Sequence, residues 1–157
     1  MTTSDPIHIA NDKFERSALL VLGMHRSGTS ALTRALSLTG FDLAVDDIGG
    51  KLGNESGHWE SKSVIELNDD ILSSYQSDWT NWRKIKFSAM NAANDQEFTR
   101  QISRTLDLTY PGTSDFVVKD PRISLLAPLY IKSLRQLKCR VDVVISIRNP
   151  LEVCASL

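Results

Sequence analysis

The run Leu19-Leu20-Val21-Leu22-Gly23-Met24-His25-Arg26-Ser27-Gly28-Thr29-Ser30 sets two glycines, a cation and three hydroxyls directly after a continuously apolar segment. A glycine-bounded turn that opens a helix binds anions. Its first N–H groups have no partner within the helix, and the helix dipole adds positive potential. Gly23 and Gly28 stand in the register of the nucleotide-binding pattern G-x-x-x-x-G-K-[ST], but Thr29 holds the lysine position and the cation comes earlier, as Arg26. The chemistry expected is phosphate binding by the backbone of Ser27, Gly28, Thr29 and Ser30, supplemented by the side chains of Arg26, Thr29 and Ser30. Ordinary triphosphate chemistry lacks its lysine here.

Two further clusters follow apolar segments. Lys119-Asp120-Pro121-Arg122 comes directly after Phe116-Val117-Val118, and Asp120 can pair with Arg122 as a structural unit. Arg148-Asn149-Pro150 comes after Val141 to Ile147, with Ser156 about two helical turns beyond Arg148. A guanidinium and a hydroxyl so placed can clamp a second phosphate.

The elements that must position these groups alternate along the chain. Ala18 to Leu22 reads as a strand buried on both faces, because it is apolar without alternation. A helix is expected from Thr29 to Thr39, with Leu32, Ala35 and Leu36 on one face and Gly40 past its end. Phe41 to Val45 reads as a short strand, and Asp46 to His58 as a glycine-rich loop able to approach a ligand closely. A helix follows from Ser61 to Tyr75, with Ser63 and Glu66 in capping-box relation, and another from Asn94 to Tyr110, capped by Asn94 with Glu97. Phe116 to Val118 is a buried strand, Ser124 to Leu137 a helix and Val141 to Ile147 a strand. Asn149 then caps a final helix with Pro150 at its first position. Strands alternating with helices predict an α/β fold: a doubly wound three-layer α/β/α sandwich with a mainly parallel sheet. Ligands bind beyond the carboxyl ends of such strands, which sets Arg26, Lys119, Arg122 and Arg148 on one rim.

The bulk properties agree with one globular unit. The 157 residues are 41% apolar and 24% charged, so neither a disordered nor a fibrous class is favoured. Residues 1–16 read as a loose leader and 17–157 as a single domain. The net charge of −1 argues against a general nucleic-acid binder but allows local basic clusters. Cys139 and Cys154, the only cysteines, argue against a disulfide framework or zinc site, and no apolar run approaches the ~18 residues of a membrane span. A cytoplasmic location is expected.

The chain resembles the sulfotransferases that use 3′-phosphoadenosine 5′-phosphosulfate, in their bacterial branch. Two motifs carry the resemblance. Gly23 to Ser30 is similar to the 5′-phosphosulfate loop, in which Lys or Arg precedes Ser-Gly-Thr. Ile147 to Leu157 is similar to the 3′-phosphate motif, with Arg148 and Ser156 at the family's separation. The resemblance implies a P-loop-like form of the sandwich and transfer of a sulfuryl group to a hydroxyl or amine of a small-molecule, carbohydrate, lipid or protein acceptor. No metal is implied. Arg26 would neutralise charge growing on the bridging oxygen, Lys119 would stabilise the transferring sulfuryl oxygens, and Arg148 and Ser156 would hold the 3′-phosphate. The lysine of the triphosphate pattern is then superfluous, since the donor has no β,γ pair.

The acceptor hydroxyl needs a general base. Within Gly53 to Glu60 the favoured base is Glu60, with Glu55 and His58 as alternatives, while Glu60 also suits the positive end of a helix. Trp59, Trp79 and Trp82 receive no role. The family's members extend beyond the second motif, so an incomplete fold is expected. Two other functions compete: a truncated non-catalytic nucleotide-binding fragment, and a P-loop kinase using ATP, which Thr29 in the lysine position disfavours.

Overall fold

The computed structural model describes residues 14–50, 57–81, 85 and 92–156. Strands β1 (Arg16–Gly23), β2 (Asp115–Lys119) and β3 (Cys139–Ser146) form an all-parallel sheet in the order β2-β1-β3. Helices α1 (Thr29–Ser37), α2 (Lys62–Ser74), α3 (Ala92–Thr109), α4 (Ile123–Gln136) and α5 (Pro150–Ser156) complete the described elements. None of these helices is long and apolar enough to cross a membrane.

The central strand explains its own composition. Every residue of β1 from Ser17 to Gly23 is buried. Ala18, Leu20 and Leu22 pack with Val64 and Ile71 of α2, Ile102 and Leu106 of α3, and Leu126 and Leu129 of α4. On the opposite face Leu19 and Val21 pack with Val117 against Leu32 and Leu36 of α1. Helices therefore cover both faces of the central strand. Each aliphatic side chain so buried contributes about 1.5–3 kcal/mol, so neither face of β1 tolerates polar alternation.

Several local expectations are corrected by tertiary contacts. Phe41 to Val45 is not a strand, and only Asp42 bridges to Phe116. Its N–H donates to Asp115 O (2.9 Å) and its carbonyl accepts from Val117 N (3.1 Å). Ser61, not Ser63, caps α2, its hydroxyl accepting from Val64 N at 3.1 Å. Ser63 instead donates its N–H to Asp46 Oδ2 at 2.8 Å. Helix α1 stops at Ser37 and leaves Ala35 exposed, whereas Thr33 is buried and donates its hydroxyl to Thr29 O at 2.9 Å. Helix α3 starts at Ala92, ahead of the expected cap Asn94. Arg16, assigned to the leader, already belongs to β1, and residues 1–13 and Trp82 lie outside the described residues.

A buried polar chain locks α2, β2 and α4 together. Fully buried Asn68 donates Nδ2–H to Asp120 Oδ2 (2.9 Å) and accepts from the Tyr130 hydroxyl (2.7 Å). Asp120 Oδ1 accepts from the backbone N–H and Nη1 of Arg122, both at 3.0 Å, and Arg122 Nε reaches Asp69 at 2.6 Å. Burial, with the Asp120 charge adding, raises the Tyr130 pKa well above its usual value, so its hydroxyl remains a donor. Replacing Asn68 by Ala leaves Tyr130 Oη and Asp120 Oδ2 without this partner in the core. We expect Asn68→Ala to lower unfolding free energy by about 3 kcal/mol, read as a shifted urea midpoint at unchanged slope.

Candidate functional site

Parallel pairing brings the carboxyl ends of the three strands to one edge of the sheet. The register sets Val21 beside Lys119 and Gly23 beside Ser146. The loop after β1 is closed by its neighbours: Gly23 N–H donates to Ser124 Oγ (3.0 Å), and Ser146 Oγ donates to Ser27 O (2.7 Å). Within the loop, Met24 O accepts from both Ser27 N (3.2 Å) and Ser27 Oγ (2.6 Å). Arg26 (φ +65°) and Gly28 (φ +89°) both take left-handed conformations. For a non-glycine residue this costs about 1–2 kcal/mol. Gly28 stands at the N-cap of α1 with no side chain capping it, so the first-turn N–H groups have no side-chain partner there.

A cavity of about 280 Å³ opens over this turn. Its walls include Arg26, Gly28, Thr29, Ser30, Glu60, Lys119, Arg148 and Ser156, all expected from the sequence, together with His58. Ser27 does not line it; this buried residue shapes the loop from behind. Glu55 lies outside the described residues. Arg122 does not line this cavity, because its guanidinium is turned to Asp69 and Asp120.

Lys119 is buried and donates to three acceptors: Ser30 Oγ at 3.1 Å, His58 O at 3.0 Å and the Glu60 carboxylate. An ammonium has three N–H donors, so the group is fully satisfied and held on the cavity wall. Glu60 is buried too, as the ion-pair partner of Lys119. The carboxylate favoured as a base therefore already has a cation on it. Taking a proton at that oxygen means displacing Lys119.

The loop after β1 and helix α5 meet across the cavity. Arg26 Nε donates to Ser156 Oγ at 2.9 Å, although 130 positions separate them. Arg148 Nη1 donates to Arg26 O at 3.1 Å and its Nε to Glu152 at 3.0 Å. Asn149 opens α5 as expected, accepting from Leu151 N at 3.0 Å. Arg26 and Arg148 are exposed, Arg148 as the ion-pair partner of Glu152.

His25 also lines the cavity and is missing from the sequence-based set. Its place directly before Arg26, inside the loop, is the signal that points to it. Burial lowers its pKa from the ordinary histidine value, followed by the charge of Arg122, with Asp120 opposing and Lys119 adding. The imidazole is thus held neutral near pH 7, able to accept a proton.

The closeness of the loop to β3 gives a direct test. A Cβ on Gly23 (φ +151°) meets Ser146 O at 2.8 Å and Ser27 Oγ and Thr29 Cγ2 at 2.9 Å. Gly112 (φ +69°) has nothing within 4 Å. Gly23→Ala is expected to cost about 3 kcal/mol and Gly112→Ala only about 1 kcal/mol in chemical denaturation. Equal costs would contradict the packing of the loop on β3. No family model, curated protein or solved structure matches the chain.

Proposed function

We propose that the chain is a sulfotransferase carrying a sulfuryl group from 3′-phosphoadenosine 5′-phosphosulfate to a hydroxyl or amine acceptor, on a P-loop-like fold. The observation that carries this reading is the junction of Arg26, Arg148 and Ser156 over the uncapped start of α1. A donor with anionic groups at its 5′ and 3′ positions requires two adjacent anion sites, and no lysine for a β,γ pair. The residues fit such a donor. The backbone N–H groups of Gly28 to Ser30 and the hydroxyls of Thr29 and Ser30 hold the 5′-phosphate, and Arg148 with Ser156 holds the 3′-phosphate. Arg26 neutralises charge on the oxygen that leaves sulfur. Lys119, held by Ser30, His58 and Glu60, contributes its charge beside the sulfuryl oxygens rather than a free N–H donor. Fixed charges of this kind, already in place before reaction, are the main demand of a group transfer with little covalent work for the protein.

The resemblance of both motifs to the sulfotransferase family supports the same assignment. Adenosine 3′,5′-bisphosphate should raise the melting temperature more than ATP does. Equal shifts favour a kinase, and bisphosphate binding without transfer to any acceptor in a broad panel favours a non-catalytic binding fragment. Arg148→Ala should weaken bisphosphate binding about tenfold by calorimetry, while Arg26→Ala lowers transfer by about a hundredfold and binding much less. Unchanged bisphosphate affinity in the Arg148 variant sinks the assignment of the 3′-phosphate site.

A further inference from the structure

A second cavity, of about 370 Å³, lies against the first and shares His25 and Pro121 with it. Its character is different. The apolar side chains of Leu22, Met24, Trp79, Leu125 and Ile145 form most of its walls. Arg122 also reaches it, but its charge is balanced by Asp69 and Asp120. The cavity thus offers apolar surface without an uncompensated arginine, and its size suits one small organic molecule.

His25 stands at the junction. Its half-buried ring meets Trp79 edge-to-face at 5.2 Å between centroids. The residue lines both the cavity of cations and hydroxyls and the apolar one.

We propose that the apolar cavity holds the acceptor, an uncharged alcohol or phenol with an apolar body, and that His25 takes its hydroxyl proton. This rests on the sulfuryl-transfer reading above. The acceptor oxygen forms a bond to sulfur while the bond from sulfur to the 5′-phosphate oxygen breaks. The electron pair of that bond leaves with adenosine 3′,5′-bisphosphate, and the proton passes to a ring nitrogen of His25 and then to solvent. Burial, with the charges of Arg122 and Lys119 outweighing that of Asp120, keeps the imidazole neutral and so ready to accept the proton. Arg26, Glu60, His58 and Arg148 complete the titratable lining of the cavity it faces.

The experiment uses the full chain, the phosphosulfate donor, and 2-naphthol and glucose as probe acceptors. We expect kcat/KM for 2-naphthol to exceed that for glucose by about tenfold or more. Ile145 is exposed, so Ile145→Glu preserves the fold, and it should raise KM for 2-naphthol about tenfold without changing bisphosphate affinity. His25→Gln should lower kcat about a hundredfold at unchanged bisphosphate affinity and remove the acidic limb of the pH profile. Preference for glucose, an unmoved KM in the Ile145 variant or a wild-type kcat in the His25 variant overturns the proposal while bisphosphate binding leaves sulfuryl transfer standing. Absence of bisphosphate binding in the wild-type chain overturns both.

Discussion

Strand β1 has no free edge and no free face. Parallel neighbours bond to it on both sides, α1 covers one surface, and α2, α3 and α4 cover the other. Such a strand cannot shift by one residue without turning Leu19 and Val21 into the space of Leu20 and Leu22 and breaking both ladders. Its register therefore fixes where Gly23 emerges, and the same ladders fix Lys119 and Ser146 beside it. The position of the cavity over the start of α1 follows from this one constraint.

The polar groups behind the cavity supply its stiffness. Lys119 is surrounded by acceptors from α1, from the segment before α2 and from Glu60, while Asp120, one residue on, is held by Asn68 and Arg122. Buried charges are tolerated only when paired and hydrogen-bonded, and here each one is. Arg26, like Trp59 between His58 and Glu60, takes a left-handed conformation and is a strained point of the arrangement. Its carbonyl is gripped by Arg148 and its side chain by Ser156, so distant tertiary contacts maintain a local backbone state that the residue by itself disfavours.

The elements were legible because their signals are local. The unbroken apolar run of β1, the caps of α5 and the alternation of strands with helices are properties of neighbouring residues, and an all-parallel sheet between helical layers follows from them. The caps of α2 and α3 were misplaced, since Ser63 is drawn away by Asp46 and α3 begins before Asn94. Phe41 to Val45 has strand composition but meets β2 through Asp42 alone, an outcome set by the path of the chain beyond α1.

By itself the sequence determined which groups stand near the strand ends: glycines, hydroxyls and arginines at fixed distances from them, since a loop's donors are set by its own residues and spacing. Only the tertiary structure decided how those groups are used. It paired Glu60 with Lys119, turned Arg122 away toward Asp69, joined Arg26 to Ser156 and left His25 between a polar and an apolar cavity. Each of these depends on contacts between residues far apart in the chain, where packing and charge compensation select the partner and local spacing carries no information.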